Sequence, residues 1–124
     1  MALKDLAASA ASVNEDAIEA IIKDHVRFDV KARSLILTPE GGKLTARQKI
    51  LAFLTANEGW CYVDDTIVST SLLPKSLEIP LGVKGGSLRP ALSKLQKENM
   101  IRKDGSGYRI VPANLTRIRA EVLG

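Results

Sequence analysis

The clearest alternation of apolar and polar positions lies in "KLTARQKILAFLTANEG". Ile50, Phe53 and Leu54 recur at i, i+3, i+4, with Leu51 near the edge of the stripe, which predicts an amphipathic helix. Thr45 can cap it, Gln48 three residues on completes a capping box, and Gly59 offers a stop. "WCYV" (60–63) is aromatic and β-branched and predicts a short strand. "DDTIVSTSLL" predicts a helix opened by Asp64 or Asp65, against the grain of its β-branched residues. Pro74 and Pro80 then break "LPKSLEIPLGVKGG" into short helical turns or a loop.

A second strong pattern follows in "GGSLRPALSKLQKENMIRKDGSGYRIV". Ser87 is the expected N-cap, which sets Pro90 at the third helical position, where a missing N–H costs no intrahelical bond. Leu88, Ala91, Leu92 and Leu95 share one face; Arg89, Ser93 and Lys97 gather opposite, with Lys94 and Gln96 at the flanks. Glu98 and Asn99 end the helix. "MIRKDGSGYRIV" predicts a hairpin with Ile101, Tyr108 and Ile110 inward and the turn at 104–107. Arg102, Lys103 and Arg109 crowd this ribbon. "PANLTRIRAEVL" restarts as a helix capped by Asn114, with Leu115, Ile118 and Val122 on one side.

The first third of the chain reads as a reduced copy of the rest. "LKDLAASAASVNEDAIEAIIKDH" predicts two short helices, the second capped by Asn14 and striped by Ile18, Ile21, Ile22 and His25. "VRFDVKARSLILTP" alternates as two strands around Lys31–Arg33, and "PEGGK" joins the blocks. Aligning Val13 with Val83 sets Ile18 on Leu88 and Ile22 on Leu92, a match that hydrophobic periodicity alone could produce. The expected organisation is therefore a small helical and hairpin block over 1–43 and a larger unit over 44–124.

Composition narrows the classes of function. At 124 residues and 45% hydrophobic, with mean hydropathy +0.01, the chain can bury a core and is not a disordered polymer. No apolar run approaches the ~20 residues of a membrane span, and Lys4 and Asp5 interrupt the alanine-rich start before a signal-type core develops. A soluble, cytoplasmic protein is expected, nucleoid-associated in a prokaryote, with no membrane partner.

One cysteine, Cys61, and one histidine, His25, leave neither a disulfide framework nor a Cys/His metal site, and both residues are expected to pack rather than react. "EGGK" and "KGGS" lack the spacing of a phosphate loop. The acidic pairs Glu15–Asp16 and Asp64–Asp65 fall where helices should start, so capping explains them better than acid–base chemistry. No catalytic residue, metal or cofactor is expected. Charge is the feature that points outward: the formal net charge is +4, yet from Lys84 to Arg119 nine basic residues face two acidic ones, a local +7. Such concentration suggests a polyanionic partner.

The order helix, short strand, broken helix, capped helix and basic hairpin resembles the winged helix-turn-helix family over residues 44–111. Ser87, Leu88, Arg89, Ala91, Leu92 and Leu95 match its recognition-helix pattern S-[LV]-R-x-A-L-x-x-L, and Ile101 to Ile110 match its wing. The resemblance implies an α+β, mostly helical fold with a small wing, two tandem units if the N-terminal block is a truncated copy. Pro80 departs from the uninterrupted supporting helix of the family, so that helix either spans 65–73 or begins near Lys75.

The resemblance also implies a double-stranded DNA binder, a transcriptional regulator or accessory DNA-binding factor. Its helix 87–99 would enter the major groove and its wing 101–111 would follow the backbone or enter the minor groove. Ser87 opens that helix, Arg89 and Ser93 would read bases with Gln96 as a weaker reader, and Lys94 and Lys97 would meet phosphates. Arg102, Lys103 and Arg109 would serve the wing. The alternative is a protein–protein interaction module of the same fold whose basic face is incidental. In either case residues 113–123 offer an apolar face that covers the chain's own core or pairs two copies.

Overall fold

The computed structural model describes residues 14–64, 66–67 and 70–124, and the helix expected before Asn14 lies outside them. The fold is α+β and mostly helical, with two separate two-stranded antiparallel hairpins. No described helix is long and apolar enough to cross a membrane.

The centre of the molecule is α2, Ala46–Glu58. Its start is the expected capping box: the Thr45 hydroxyl accepts from the Gln48 N–H, and the Gln48 amide oxygen accepts from the Thr45 N–H. Its burial exceeds a stripe. Every residue from Ile50 to Asn57 is buried, because the helices over 74–81, 85–97 and 115–123 and both hairpins pack around it. The two polar members are satisfied: the Thr55 hydroxyl donates to the Leu51 carbonyl, and the Asn57 amide donates to the Thr70 carbonyl. One hydrophobic cluster takes in Ile18, Ile21, Val26 and Leu35 from before residue 43 together with the apolar residues of the rest of the chain.

The chain before α2 consists of a helix over 14–22, here α1, and the hairpin β1 (Val26–Asp29) and β2 (Ser34–Leu37). Asn14 is already helical and is not the cap the sequence suggested. The stripe is as expected, with Ile18, Ile21 and Ile22 buried and His25 half-buried. The two strands also form as expected, pairing Val26 with Leu37 and Phe28 with Leu35.

After α2 the structure departs from the sequence reading. Gly59 caps the end of α2, as expected, but keeps helical geometry (φ −84°, ψ −4°), and 60–63 is a helical turn, α3 (Trp60–Val63), and not a strand. Among the described residues no strand pairs with them. The Asp64 N–H instead bonds back to the Trp60 carbonyl, and Trp60 is buried with its ring edge-on to Phe28 at 4.9 Å. Cys61 is exposed rather than packed.

The helix expected from Asp64 does not form at Asp64, Thr66 or Ile67; Asp65, Val68 and Ser69 lie outside the described residues. Asp64 uses its carboxylate locally, accepting from the N–H and hydroxyl of Thr66, a turn that competes with helix.

Leu72 then pairs with Tyr108 through both backbone bonds, laying a single extended residue beside the second hairpin. That contact needs Gly107: a Cβ there would lie 2.6 Å from Ser71 Oγ and 2.9 Å from the Leu72 carbonyl oxygen. Gly107→Ala should lower stability by about 1–3 kcal/mol, read by urea denaturation. An unchanged midpoint would show that the Leu72 segment is not held there.

Pro80 does not split the supporting helix. α4 runs unbroken from Pro74 to Leu81, with Pro74 in the first position, where it costs nothing, and Pro80 in the last turn. Of the two starts considered, the one near Lys75 is the one found. The helix ends in a Schellman motif at Gly82 (φ 65°), where Gly82 N–H bonds to Ile79 and Val83 N–H to Glu78.

Three residues later α5 begins, Gly85–Lys97. Ser87 is therefore a first-turn residue and not the N-cap, and Pro90 falls at the sixth helical position instead of the third. The early start brings Gly85 against α4, where a Cβ would meet Glu78 Oε1 at 3.1 Å. A carboxylate at a helix N-terminus offsets part of the bond Pro90 removes. α5 ends in a second Schellman motif, with Asn99 at φ 61° and Met100 N–H bonded to Leu95.

β3 (Ile101–Asp104) and β4 (Gly107–Ile110) make the second hairpin, with Ile101, Tyr108 and Ile110 buried as expected. A short 3-10 turn at Pro112–Asn114 leads into α6, Leu115–Leu123. The Asn114 side chain makes no cap; it donates to the Asn99 carbonyl. Leu115, Ile118 and Val122 are at most 5% exposed, so the apolar face that could have paired two copies already covers the chain's own core. Leu123 alone remains outside.

Candidate nucleic-acid interface

The exposed surface of α5 carries Ser87, Arg89, Ser93, Lys94, Gln96 and Lys97, all in solvent, while Leu88, Leu92 and Leu95 anchor the helix from behind. At roughly 100° per residue, Gln96, Arg89, Ser93 and Lys97 occupy one continuous flank and Lys94 lies on the other. Lys94 sits near the Glu98 carboxylate and helps to stabilise it, an orientation away from that flank.

The hairpin divides its basic residues between two faces, because side chains alternate along a strand and cross-strand partners share a face. Lys103 pairs with Tyr108 and lies 5.9 Å above its ring. Arg102 pairs with Arg109 on the opposite face. Between α5 and the Lys103 face is a notch of about 270 Å³ lined by Arg89, Leu92, Lys103, Ser106, Tyr108 and Pro74. Two cations from separate elements thus converge beside a hydroxyl. Ser106 was not among the residues the sequence singled out. Its place in the turn after a basic strand is the only local signal for it.

Arg109 does not join this surface. Its guanidinium grips Glu58, the last residue of α2, through two bonds of 2.7 and 2.8 Å, with Asp104 3.5 Å away. Both partners are largely buried, and hydrogen bonding to Glu58 is the chief reason the guanidinium holds its proton more firmly than usual. Arg109 bolts the hairpin to the central helix, and its donors to Glu58 are not free for a phosphate. The expectation that Arg102, Lys103 and Arg109 serve the wing together is corrected accordingly: Arg109 is committed to Glu58 and Arg102 lies on the face opposite Lys103.

A second ionic bolt sets the far end of α5. Arg47, in the first turn of α2, makes a two-pronged bond to Glu98 (2.8 and 3.0 Å) and another to Glu121 of α6 (2.6 Å for each prong). The Glu98 carboxyl is held below its ordinary value of 4.5, first by the hydrogen bonds from Arg47. Asp64 is lowered too, chiefly by the Thr66 hydroxyl. A depressed folded value means that the folded chain binds fewer protons than the unfolded one in mild acid. That stability is complete well above pH 4.5 and is lost as pH falls through the folded values. Arg47→Gln should lower the thermal midpoint at neutral pH and flatten its decline below pH 4.5. A melting series in which the variant falls as steeply as the wild type would refute this role.

The chain matches no family model, no curated protein and no solved structure.

Proposed function

We propose that the chain is a winged-helix protein that binds double-stranded DNA, acting as a transcriptional regulator or accessory DNA-binding factor. The order α2, extended Leu72, α4, three-residue link, α5 and hairpin supports the assignment of α5 as the groove-reading helix and β3–β4 as its wing. The N-terminal α1 and β1–β2 repeat the helix-then-hairpin order, and the aligned pairs Ile18/Leu88 and Ile22/Leu92 are all buried, which favours a reduced second unit.

The observation that carries the reading is the convergence of Arg89 and Lys103 on one notch beside the free flank of α5. A helix flank bearing Arg89, Ser93 and Gln96 has donors and acceptors suited to base edges in the major groove. Lys97 at the C-terminal end of that flank and Lys103 across the notch from Arg89 would meet phosphates, and Lys94 and Arg102 on the outer sides would reach them only where the duplex wraps further. Arg109 takes no part.

Binding of a 20-base-pair duplex, followed by fluorescence anisotropy, tests this. With about four phosphates neutralised, affinity should fall roughly a hundredfold between ~50 and ~200 mM salt. No binding at ~50 mM salt, or binding indifferent to salt, would rule out the DNA reading and favour an interaction module.

A further inference from the structure

A second surface, sharing no residue with the notch, has a charge order that completes itself. α1 and the strand after it present Glu15 and Glu19, then Lys23 and Arg27, along the rim of a groove of about 380 Å³. Its floor includes Ile22, Phe28, Tyr62 and Val63, and the last two are 42% and 45% exposed. Among the described residues, Glu15, Glu19 and Lys23 make no ion pair. Arg27 donates to the carbonyls of Lys23 and Val26, which fixes its charge at the C-terminal end of α1. Ile36, 52% exposed, is the cross-strand partner of Arg27 and extends the apolar surface on the same face of the hairpin.

We propose that a second copy of this chain docks here, α1 against α1 in antiparallel fashion across a two-fold axis at the level of residue 21. Along α1 and the turn that continues it, Glu19 and Lys23 lie equally far from residue 21; Glu15 extends the acidic end, and the Arg27 guanidinium, held on the Lys23 carbonyl, extends the basic one. Antiparallel pairing therefore sets Glu15 against the partner's Arg27 and Glu19 against the partner's Lys23, each contact occurring twice. Parallel pairing would set like against like. A sequence of two acids followed by two bases is its own complement only when reversed, which is why the occupant is a second copy rather than an unrelated helix. Closing the pair removes Tyr62 and Val63 from water. The proposal stands apart from DNA binding and uses a face other than 113–123.

Sedimentation equilibrium of the full chain from ~10 to ~500 µM tests it, with dimer expected as concentration rises. Glu19→Lys alone and Lys23→Glu alone should each weaken the dimer at least about tenfold, because every reversal places two like-charge contacts in the interface. An equimolar mixture of the two variants should recover wild-type affinity to within about twofold, since position 19 of one then faces position 23 of the other with opposite charge. That recovery also shows that both variants are folded. A monomeric wild type over the whole range, single variants that dimerise like the wild type, or a mixture that stays dissociated would each overturn the proposal.

Discussion

Replacing Arg89, Lys97 and Lys103 together by alanine should weaken duplex binding by about two to three orders of magnitude, with little change in the melting temperature. The size follows from the placement of the three groups. Arg89 lines the notch where the proposed duplex would approach, and an arginine reading a base edge is worth about 1–3 kcal/mol. On the proposed reading Lys97 and Lys103 would meet phosphates, so losing each should remove about one unit from the slope of log affinity against log salt.

The variant should therefore bind with a salt slope reduced by at least about two, and this change separates lost phosphate contacts from a general loss of fold. Stability should hold because none of the three makes an ion pair among the described residues, and only Lys103 touches a partner, the Tyr108 ring. Anisotropy titrations at three salt concentrations, beside a thermal melt, give both readouts. Unchanged affinity in a folded variant would remove the notch from the interface.

Arg109→Ala should do the opposite, destabilising the protein by about 2 kcal/mol while leaving duplex affinity within about threefold of wild type. Glu58 is less exposed than Arg109, and losing the guanidinium leaves its carboxylate half-desolvated without a partner. The full penalty of a buried broken pair, about 3–5 kcal/mol, does not apply because both side chains keep some contact with water. For a domain of this size the loss corresponds to a fall of roughly 5–10 °C in the melting midpoint. Glu58→Gln should be milder, since an amide still accepts one of the two bonds. If Arg109→Ala instead melts like the wild type and loses DNA, the Glu58 bond is incidental and the residue belongs to the interface.

The contrast between Arg89 and Arg109 marks how far the sequence could be read. Where a pattern is local it was legible: the capping box of Thr45 and Gln48, the Leu88–Leu92–Leu95 face, the β3–β4 hairpin and its three inward residues all follow from spacing alone. The aromatic and β-branched residues of Trp60–Val63 favour a strand, but strand preference needs a neighbour to pair with, and these residues form a helical turn with Trp60 packed on Phe28.

Pro80 predicts a break because proline removes a bond, yet α4 runs through it to Leu81 and the helix ends at the Gly82 Schellman motif. Ser87 is a good cap in isolation, but α5 starts two residues earlier, at Gly85, which packs close to Glu78. Arg109 illustrates the deeper limit. Its partner Glu58 lies 51 residues earlier, and no periodicity connects the two. Arg102, Lys103 and Arg109 crowd one ribbon in the sequence, but strand alternation already assigns Lys103 to a different face from the other two.

The account rests on which face of the protein meets the duplex, and amide chemical-shift mapping during titration with a 20-base-pair DNA answers that residue by residue. The predicted result is that shifts concentrate at Arg89, Ser93, Gln96 and Lys97 on α5 and at Lys103 and Ser106 on the hairpin, with the α1 groove unmoved. Shifts confined to the α1–α3 surface, or none at concentrations that saturate a ~1 µM site, would contradict it.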